Sequence, residues 1–597
     1  MQYPTKSEYV KASQDASDNL DMSTKATDEE LNEAIIDEYG VKYSKDGIKL
    51  LKSPRELDGT YSIKRGTKII CDEAFGRRIS LNHSFLNGLV IPDSVIRIGK
   101  GAFANCSFLR SLVIPDSVTS IGDFAFFGCS SLRSLVIPDN VTSIGDDAFS
   151  GCSSLSSLVL PDNVTNIGDC AFSGCSSLSS LVIPNSIISM GNNTFANCSS
   201  LRSLVISAGV TNIGNYTFAN CSSLYSLVLP NSITRIGAGA FAHCKSLSSL
   251  VLPDGVTSIG NFEFSGCSSL HSIVLPSRVT NIGASAFRDC SSLTEIVIPD
   301  CVTRIEESAF RGCSSLTEIA IPCSVTEIAD SVFFGCTSLR SLILPDSIRG
   351  IGDDAFWGCS SLSSLVLPTS VTNIGDCAFA YCESLRSLVI PNSVTNIGDS
   401  AFEGCESLRS LVIPDSVTSI GEHAFCGWDG ELIYLSPCFI YENKVLFDKE
   451  KSKIISFRDK ETTSYIIPDS VTCIGESAFY ECKSLSSLVI PVSVTSIGDE
   501  AFWGCSSLSN IVIPDSVISI GDSAFSGCSS LSSLVIPNSV TCIGVWAFSG
   551  CSSLSNIVIP DGVTSIGDGV FKDCNFPDNL KHELISRFGD KIFRKYG

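Results

Sequence analysis

Apolar residues recur along this chain with a period of 23 residues, and polar residues fill most of the positions between them. The stretch from Cys129 to Gly151 reads CSSLRSLVIPDNVTSIGDDAFSG, and the next stretch repeats it with few changes. A fixed period of this length indicates stacked structural repeats rather than separate globular domains. Counting an irregular first copy that ends at Phe75, we predict about 21 units.

Each unit opens with a short segment that predicts a β-strand. The segment SLVIP is rich in residues that favour strands, and its proline cannot donate to a ladder. Because side chains alternate along a strand, Leu135 and Ile137 point into the core and Val136 points outward. Ile144 returns to the core on the opposite wall, and the AF pair begins a short helical or 3-10 turn. One unit cannot bury its own apolar face, so stacked units must share one core.

The period is interrupted once, between two runs of regular units. Residues 445–479 in this interruption align without a gap with residues 41–75 near the N-terminus. Both segments predict a β-hairpin that leads into an ordinary unit, the first turning at residues 45–47 and the second at residues 448–451. The same hairpin module therefore opens two blocks of the solenoid.

Both ends of the chain differ from the repeats, as the ends of a solenoid must. Residues 1–38 are polar and acidic, which is typical of disorder, but the capping box of Thr27 and Glu30 predicts a short helix. After the last unit we expect a helix that covers the exposed end of the core, built on apolar residues with helical spacing: Leu580, Leu584, Ile585 and Phe588.

The predicted organisation has four parts. They are a polar tail with a short helix, a hairpin module with the first solenoid block, a second hairpin module with the second block, and a helical C-terminal cap. In this order they occupy residues 1–38, 39–434, 435–576 and 577–597.

The repeat resembles a known family. Leu-x-x-Leu-x-Ile-Pro within a period of about 20 to 29 residues is the leucine-rich-repeat signature. The remainder, Pro-x-x-Val-x-x-Ile-Gly-x-x-Ala-Phe-x-x-Cys, closely resembles the BspA-type leucine-rich repeat of bacterial and protozoan surface proteins. The resemblance covers about residues 39 to 576. It implies a mainly β solenoid of short parallel strands, and known relatives are mostly adhesion or protein-binding proteins, often secreted.

The charge of the chain argues against several classes of partner. A net charge of -22 disfavours nucleic acid, since phosphate binding needs clustered Lys and Arg, and gives no attraction to anionic lipid. No apolar run is long enough to span a bilayer, and the N-terminal stretch has no apolar signal region. We therefore expect a monomer that binds a protein and inserts in no membrane. The sequence alone favours the cytoplasm, and the resemblance favours a surface or secreted location.

Most of the 28 cysteines occupy one repeat position, three residues after the repeat phenylalanine. Stacked units would hold these side chains parallel, whereas a disulfide needs converging Cβ vectors. Zinc needs four ligands that converge on one point, and the sequence contains no C-x-x-C pair. We therefore expect free, buried thiols that donate weak hydrogen bonds to the backbone, no cofactor, and a reducing environment.

No catalytic constellation is evident in the sequence. The histidines lie in different units without a shared motif, and the common catalytic and nucleotide-binding motifs do not occur. The acids of the PD and IGD segments occupy fixed turn positions. An enzyme on such a solenoid would need paired carboxylates in a groove. Glu295 and Glu318, one unit apart, are the candidates, but no pocket is evident beside them, so we expect no enzyme.

The outward valine of the strands forms an apolar column. Such a stripe is typical of a partner site, although strand propensity alone also explains it. Two adjacent units depart from the pattern, since glutamates replace serine and one alanine replaces valine. Drift in a redundant array and a partner contact both explain these changes. The candidate partner-binding residues are Val274, Glu295, Val297, Glu318, Ala320 and Ile343.

The resulting hypothesis is a non-enzymatic protein–protein interaction solenoid that serves adhesion or the binding of a host or other partner. The alternative is an intracellular scaffold or adaptor. The missing signal sequence and the free thiols favour this alternative.

Overall fold

The computed structural model describes residues 22–54, 56–76, 86–434 and 436–594. These residues form a mainly β, parallel-strand solenoid with a period of about 23 residues, as the sequence predicted. The chain divides into two compact units, Met1–Pro299 and Asp300–Gly597. The predicted block boundary at residues 434 and 435 falls inside the second unit and stays a prediction. We call one solenoid turn of 23 residues, which is one repeat of the sequence, a rung. The word unit is kept from here on for the two compact parts of the chain.

One column of short parallel strands carries the SLV segments, and we call its members the face strands. In the first unit they are Gly59–Ser62, Leu86–Val90, Ser111–Val113, Ser134–Val136, Ser157–Val159, Ser180–Ile183, Ser203–Ile206, Ser226–Val228, Ser249–Val251 and Ser272–Val274. In the second unit they are Glu318–Ala320, Ser341–Ile343, Ser364–Val366, Ser387–Val389, Ser410–Val412, Glu431–Tyr434, Ser464–Ile466, Ser487–Val489, Asn510–Ile511, Ser533–Val535 and Asn556–Val558. Neighbours pair at equivalent positions, with Leu135 opposite Leu158. The predicted facing is confirmed, because the leucine of each SLV segment is buried between a serine, exposed in nearly every case, and an exposed valine.

A second column of two-residue strands lies on the opposite wall, and we call its members the wall strands. In the first unit they are Ile69–Ile70, Arg97–Ile98, Ser120–Ile121, Ser143–Ile144, Asn166–Ile167, Asn212–Ile213, Arg235–Ile236 and Asn281–Ile282. In the second unit they are Arg304–Ile305, Glu327–Ile328, Gly350–Ile351, Asn373–Ile374, Asn396–Ile397, Ser419–Ile420, Cys473–Ile474, Ser496–Ile497, Ser519–Ile520, Cys542–Ile543 and Ser565–Ile566. Their isoleucines close the core from the side opposite the face strands.

The repeat phenylalanine stacks from rung to rung in the core. The rings of Phe126 and Phe149 are nearly parallel, with centroids 5.1 Å apart, and the ring of Phe172 continues the stack at 5.3 Å. The backbone supports this stack, since the N–H of Phe149 donates to the carbonyl of Ala171 in the next rung at 2.7 Å. The preceding segment is a hydrogen-bonded turn. Asp147 there adopts a left-handed conformation, with φ of 53°, which prevents a regular helix from continuing.

The acid of the IGD segment joins consecutive rungs. In the second unit, Oδ1 of Asp353 accepts a hydrogen bond from the backbone N–H of Asp376, and Oδ1 of Asp376 accepts one from Asp399, both at 2.8 Å. In the first unit, Asn192 and Asn215 make the equivalent bonds with their amide oxygens at 2.9 Å. The ladder therefore needs a side-chain oxygen at this position and does not need a charge.

We expect Asp376→Ala to lower the free energy of unfolding by about 1 kcal/mol, because it removes one inter-rung hydrogen bond. Asp376→Asn keeps the oxygen and should change the stability by less than about half of that. Urea unfolding of both variants measures the difference. An equal loss in both variants would show that the carboxylate acts through its charge.

The two predicted hairpins are confirmed, and each gains a third antiparallel strand. The first module consists of Ile35–Ile36, Lys42–Tyr43 and Lys49–Lys52, and the second of Phe439–Glu442, Val445–Asp448 and Lys453–Phe457. Gly47 allows the first turn with φ of 73°, and Lys451 adopts φ of 55° in the second. The last strand of each module pairs in parallel with the next wall strand, so the hairpin leads directly into a regular rung.

Both predicted terminal helices are present. The helix Asp28–Asn32 begins at the predicted capping box, where Thr27 and Glu30 exchange hydrogen bonds of 2.8 and 3.1 Å. Residues 1–21 of the predicted polar tail lie outside the described residues. The C-terminal helix Asp578–Phe588 buries Leu584 and is followed by the 3-10 helix Asp590–Phe593.

The C-terminal cap imitates one more rung. The carbonyl of Ile592 accepts a hydrogen bond from the N–H of Phe571 at 2.9 Å. In a regular rung the same position bonds to the next rung, as Phe548 does to the carbonyl of Val570 at 3.0 Å. Ile592 is fully buried. The cap therefore satisfies the last exposed backbone groups and covers the last layer of the core.

One predicted strand is missing. The sequence predicted a face strand at Glu295–Val297, but residues 294–299, which the structure describes, form no strand. The hydrogen bond that leads into this rung, from the N–H of Thr294 to the carbonyl of His271, is long at 3.5 Å. Elongated hydrogen bonds weaken a ladder.

Candidate interaction surface

The exposed side of the face strands forms a continuous apolar surface in each unit, and we call it the open face. In the first unit its exposed residues are Val90, Val113, Val136, Val159, Val182, Val205, Val228, Val251 and Val274, and Val297 continues the column although its rung forms no strand. In the second unit they include Ile343, Val366, Val389, Val412, Ile466, Val489, Val512, Val535 and Val558. Single exposed apolar residues are ordinary, but a contiguous column of them is typical of a surface that binds another protein.

The candidate residues predicted from the sequence are all exposed. In the first unit, Val297 is 82% exposed and Val274 is also exposed, and Glu295 lies beside them on the same side of its rung. In the second unit, Glu318 and Ala320 flank the buried Ile319, and Ile343 is 66% exposed. Their predicted role in binding a partner stays a prediction.

A column of arginines runs along one edge of the open face, immediately before the face strands. The first unit carries Arg110, Arg133 and Arg202, and the second carries Arg340, Arg386 and Arg409, all of them exposed. Among the described residues, ion pairs form at arginines outside this column, such as Arg288 with Asp289 and Arg594 with Asp590. Within the described part of the chain, this edge therefore presents arginines with no ion-pair partner, on a protein of net charge -22.

A pocket of about 320 Å³ interrupts the flat open face of the first unit. Val205 and Val228, which lie opposite each other in neighbouring face strands, form part of its floor. Arg202 and Tyr225 close one end, and Pro230 lies at the other. Sequence reasoning missed this site. The available signals were the tyrosine, at a position that is serine or arginine in most rungs, and the missing repeat proline at Ser207.

The cysteine column has a structural role, as predicted. None of the 28 cysteines forms a disulfide, and most of those at the repeat position donate to the phenylalanine carbonyl of the preceding rung. Sγ of Cys152, for example, lies 3.4 Å from the carbonyl oxygen of Phe126. Burial raises the pKa of Cys152 to about 12. These thiols therefore stay protonated at neutral pH and lack the thiolate character of reactive cysteines.

Cys482 is an exception within this column. The neighbouring Cys505 thiol, together with the Lys460 ammonium 3.6 Å from the sulfur, lowers the pKa of Cys482. The same ammonium donates to the backbone carbonyl of Tyr480. Cys482 is nevertheless only 1% exposed, so reagents have little access to it.

A buried arginine, Arg458, forms hydrogen bonds with the rung that precedes the second hairpin module. Arg458 donates to the carbonyls of Phe425 and Gly430 at 2.9 and 3.0 Å, and its guanidinium lies over the ring of Trp428. Burial lowers its pKa to about 10. The gapless alignment of the two modules places Pro54 at this position in the first one. Among the described residues, the helix Asp28–Asn32 and not a rung precedes the first module, so no equivalent rung carbonyls lie there.

Metal-ligand groups and histidine contacts were the remaining candidates for chemistry among the described residues. In the described part of the chain, no group of three or more His, Cys, Asp or Glu side chains is arranged to hold a metal ion. His83 lies outside the described residues, and His423 lies 3.8 Å from Glu476 in the second unit. Among the described helices, none has the length and apolar character needed to cross a membrane.

A family model described as the BspA type leucine-rich repeat region matches most of the chain. The matches cover residues 68–202, 188–317, 234–361, 303–430 and 453–577. The model therefore covers both runs of repeats and leaves out residues 1–67, 431–452 and 578–597. None of the curated proteins matches the chain significantly.

Several solved structures are similar to the chain over part of its length. A leucine-rich cell surface protein from Faecalibacterium prausnitzii is 28% identical, with a TM-score of 0.39, over 63% of this chain and 94% of that one. A leucine-rich repeat protein from Eubacterium ventriosum is 24% identical, with a TM-score of 0.37, over 50% of this chain and 83% of that one. The leucine-rich repeat protein of T. pallidum is 32% identical, with a TM-score of 0.24, over 31% and 78%.

Proposed function

The chain belongs to the BspA-type leucine-rich repeat family, and on this premise we propose that it is a non-enzymatic solenoid that binds a protein partner through its open face. One observation carries the proposal: the valine column is exposed along the face strands, although each of its residues could have been polar without cost to the core. Exposed apolar area of this extent favours burial against a partner.

The composition of the open face supports a protein as the partner. Interfaces place apolar residues at their centre and polar residues at their rim, and the valine column with arginines along one edge has this arrangement. Serines fill most positions between them, so the face is nearly uniform from rung to rung. Departures from uniformity should therefore determine where the partner binds.

The main departures are Glu295 in the first unit and Glu318 in the second, and we propose that they contribute specificity. We expect Glu295→Lys combined with Glu318→Lys to weaken partner binding about tenfold or more, because charges at an interface steer association and reject wrong partners. The melting temperature should stay nearly unchanged, since both side chains are exposed. The measurements are the partner affinity at low and moderate salt and a melting curve.

The matched control is Glu307→Lys combined with Glu327→Lys. It makes the same change in net charge at exposed positions outside the face strands. Unchanged affinity of the first double variant at both salt concentrations would move the binding site elsewhere on the solenoid. A large fall in its melting temperature would show instead that the serine and valine columns belong to the core.

The family resemblance favours adhesion or host binding at a cell surface as the biological setting. The alternative of an intracellular scaffold is favoured by the lack of a disulfide at any of the 28 cysteines, because reduced thiols persist in reducing compartments. Fractionation of the cells that make the protein, with detection of the native chain, separates these two settings.

A further inference from the structure

The pocket at Arg202 and Tyr225 differs from the rest of the open face in shape. At the end of the face strand Ser203–Ile206, Ser207 replaces the repeat proline and donates its N–H to the carbonyl of Ile183 at 3.1 Å. A proline cannot make this bond. The strand therefore extends to Ile206, one residue beyond most face strands, and Ile206, although only 6% exposed, is one of the residues that line the pocket.

The side chains around this pocket present two kinds of chemistry. Val205 and Val228 on its floor are 52% and 76% exposed, and the ring of Tyr225 beside them is 57% exposed. Arg202, at the same end as Tyr225, brings an exposed cation for which the described residues supply no ion-pair partner. A ligand that covers the apolar floor and also pairs with the arginine must carry an apolar group and an anionic group.

The dimensions of the pocket indicate how close these two groups must be. Arg202 and Val205 are three residues apart along one strand, roughly 10 Å at the rise of an extended chain. A volume of about 320 Å³ lies at the lower end of the range for ligand pockets. The pocket therefore suits one or two side chains of a peptide, with a carboxylate within a residue or two of an aliphatic or aromatic group.

The net charge of the chain favours a peptide over a polyanion as the ligand of this pocket. A long nucleic acid or sulfated glycan would be repelled by a chain of net charge -22 and would find little to contact on an apolar floor. An acidic peptide needs only a local cation and gains from burying its apolar side chains. The next arginines along the same edge, Arg133 and Arg110, lie where a longer acidic segment would pass.

We infer that this pocket binds an acidic, apolar peptide segment of the protein partner. Its carboxylate pairs with Arg202, and its apolar side chain packs on Val205 and Val228 against the ring of Tyr225. Arginine and tyrosine are enriched among the residues that dominate binding energy at interfaces. The inference rests on the proposed function, for which it names the chemistry of the partner at one site.

The test uses the full chain and a twelve-residue peptide in which glutamate and leucine alternate, with affinity measured by calorimetry at low salt. We expect Arg202→Glu to weaken binding at least tenfold and Tyr225→Ser at least fivefold. Serine occupies the tyrosine position in the next rung, at Ser248, and two rungs earlier, at Ser179, so Tyr225→Ser should fold normally. Arg386→Glu, the same change on the arginine column of the second unit, should alter affinity less than twofold.

Three further probes distinguish specific binding in this pocket from general electrostatic attraction. A peptide of glutamine and leucine, and one of glutamate and serine, should each bind at least tenfold more weakly, whereas a sulfated oligosaccharide of equal charge should not compete. Equal loss in Arg386→Glu, no loss in Arg202→Glu and Tyr225→Ser, or effective competition by the oligosaccharide would overturn the inference. If the peptide fails to bind while the double variant at Glu295 and Glu318 still impairs partner binding, the inference falls and the proposed function stands.

Discussion

Phe264→Ala is expected to split the unfolding of the solenoid into separate transitions. Phe264 is fully buried, and its ring stacks on Phe241 at 5.9 Å and on Phe287 at 5.6 Å. Removing a core phenylalanine costs about 3–5 kcal/mol. In an array of repeats the stability of each rung depends on its neighbours, so this loss also weakens the coupling between the rungs on either side.

Phe571→Ala is the comparison at the end of the array. A terminal rung with a single neighbour would show a milder effect. The structure shows that the cap supplies a second one, since Phe576 and Phe593 contact the Phe571 ring at 5.3 and 5.9 Å. We therefore expect a local cost of similar size, with release of the cap and the last rung, while the rest of the array keeps one transition.

Calorimetry together with hydrogen exchange distinguishes these outcomes. Phe264→Ala should give a broadened or double transition, with early exchange in the rungs that adjoin residue 264. Phe571→Ala should give one main transition, with early exchange confined to the C-terminal residues. The same single, uniformly shifted transition in both variants would contradict a solenoid whose cooperativity passes between neighbouring rungs.

Glu263→Ala is expected to stabilise the protein at neutral pH. Glu263 is fully buried at the position that Ala240 and Ala286 occupy in the adjacent rungs. Its Oε2 accepts a hydrogen bond from the N–H of Gly260 at 2.6 Å, and its Oε1 has no hydrogen-bond partner among the described residues. A buried oxygen without a partner costs about 1–3 kcal/mol. Alanine removes this cost and already fits the same position in both neighbours.

The effect of Glu263 should depend on pH in a definite direction. Burial raises the pKa of this carboxyl well above its ordinary value of 4.5, opposed by the hydrogen bond from Gly260. Below pH 4.5 the carboxyl is protonated in both states. Above it the unfolded chain ionises while the folded chain keeps its proton, so the free energy of unfolding falls by up to about 1.4 kcal/mol per pH unit until the folded pKa is reached.

Chemical unfolding between pH 4 and pH 8 tests this account. The wild type should lose stability as the pH rises, and Glu263→Ala should remove that part of the slope and gain most at the highest pH. Glu263→Gln, which keeps the size but cannot ionise, should remove the slope and retain part of the cost of the buried polar group. A wild-type slope that persists in both variants would assign the pH dependence to other residues.

The repeated features of the fold were predictable because one pattern specifies them many times. The alternation at Leu135, Val136 and Ile137 fixes which side of each strand is buried, and the constant spacing of the repeat phenylalanine fixes the stack in the core. The cysteine column followed from the same reasoning, since parallel side chains at one position can reach a backbone carbonyl but cannot bridge. The terminal helices carried their own local signals in a capping box and a helical spacing.

The features that occur once could not be predicted in the same way. Arg458 donates hydrogen bonds to the carbonyls of Phe425 and Gly430, which lie about 30 residues earlier in the chain. The residues between follow no repeat, so no periodic pattern predicts this contact. The pocket at Tyr225 combines substitutions in neighbouring rungs, each unremarkable alone. The strand expected at Glu295–Val297 is absent although its residues suit a strand, because pairing depends on the spacing of the adjacent rungs as well as on propensity.

The central claim is that the partner binds the open face, and site-specific photo-crosslinking tests it most directly. Val366 on a face strand and Asn373 on a wall strand belong to the same rung of the second unit, and both are exposed. A photoreactive residue is placed at either position in the full chain, and the cells that produce the protein are illuminated. The account predicts one discrete adduct from position 366 and none from position 373. A discrete adduct from position 373 alone, or none from either position, would contradict it.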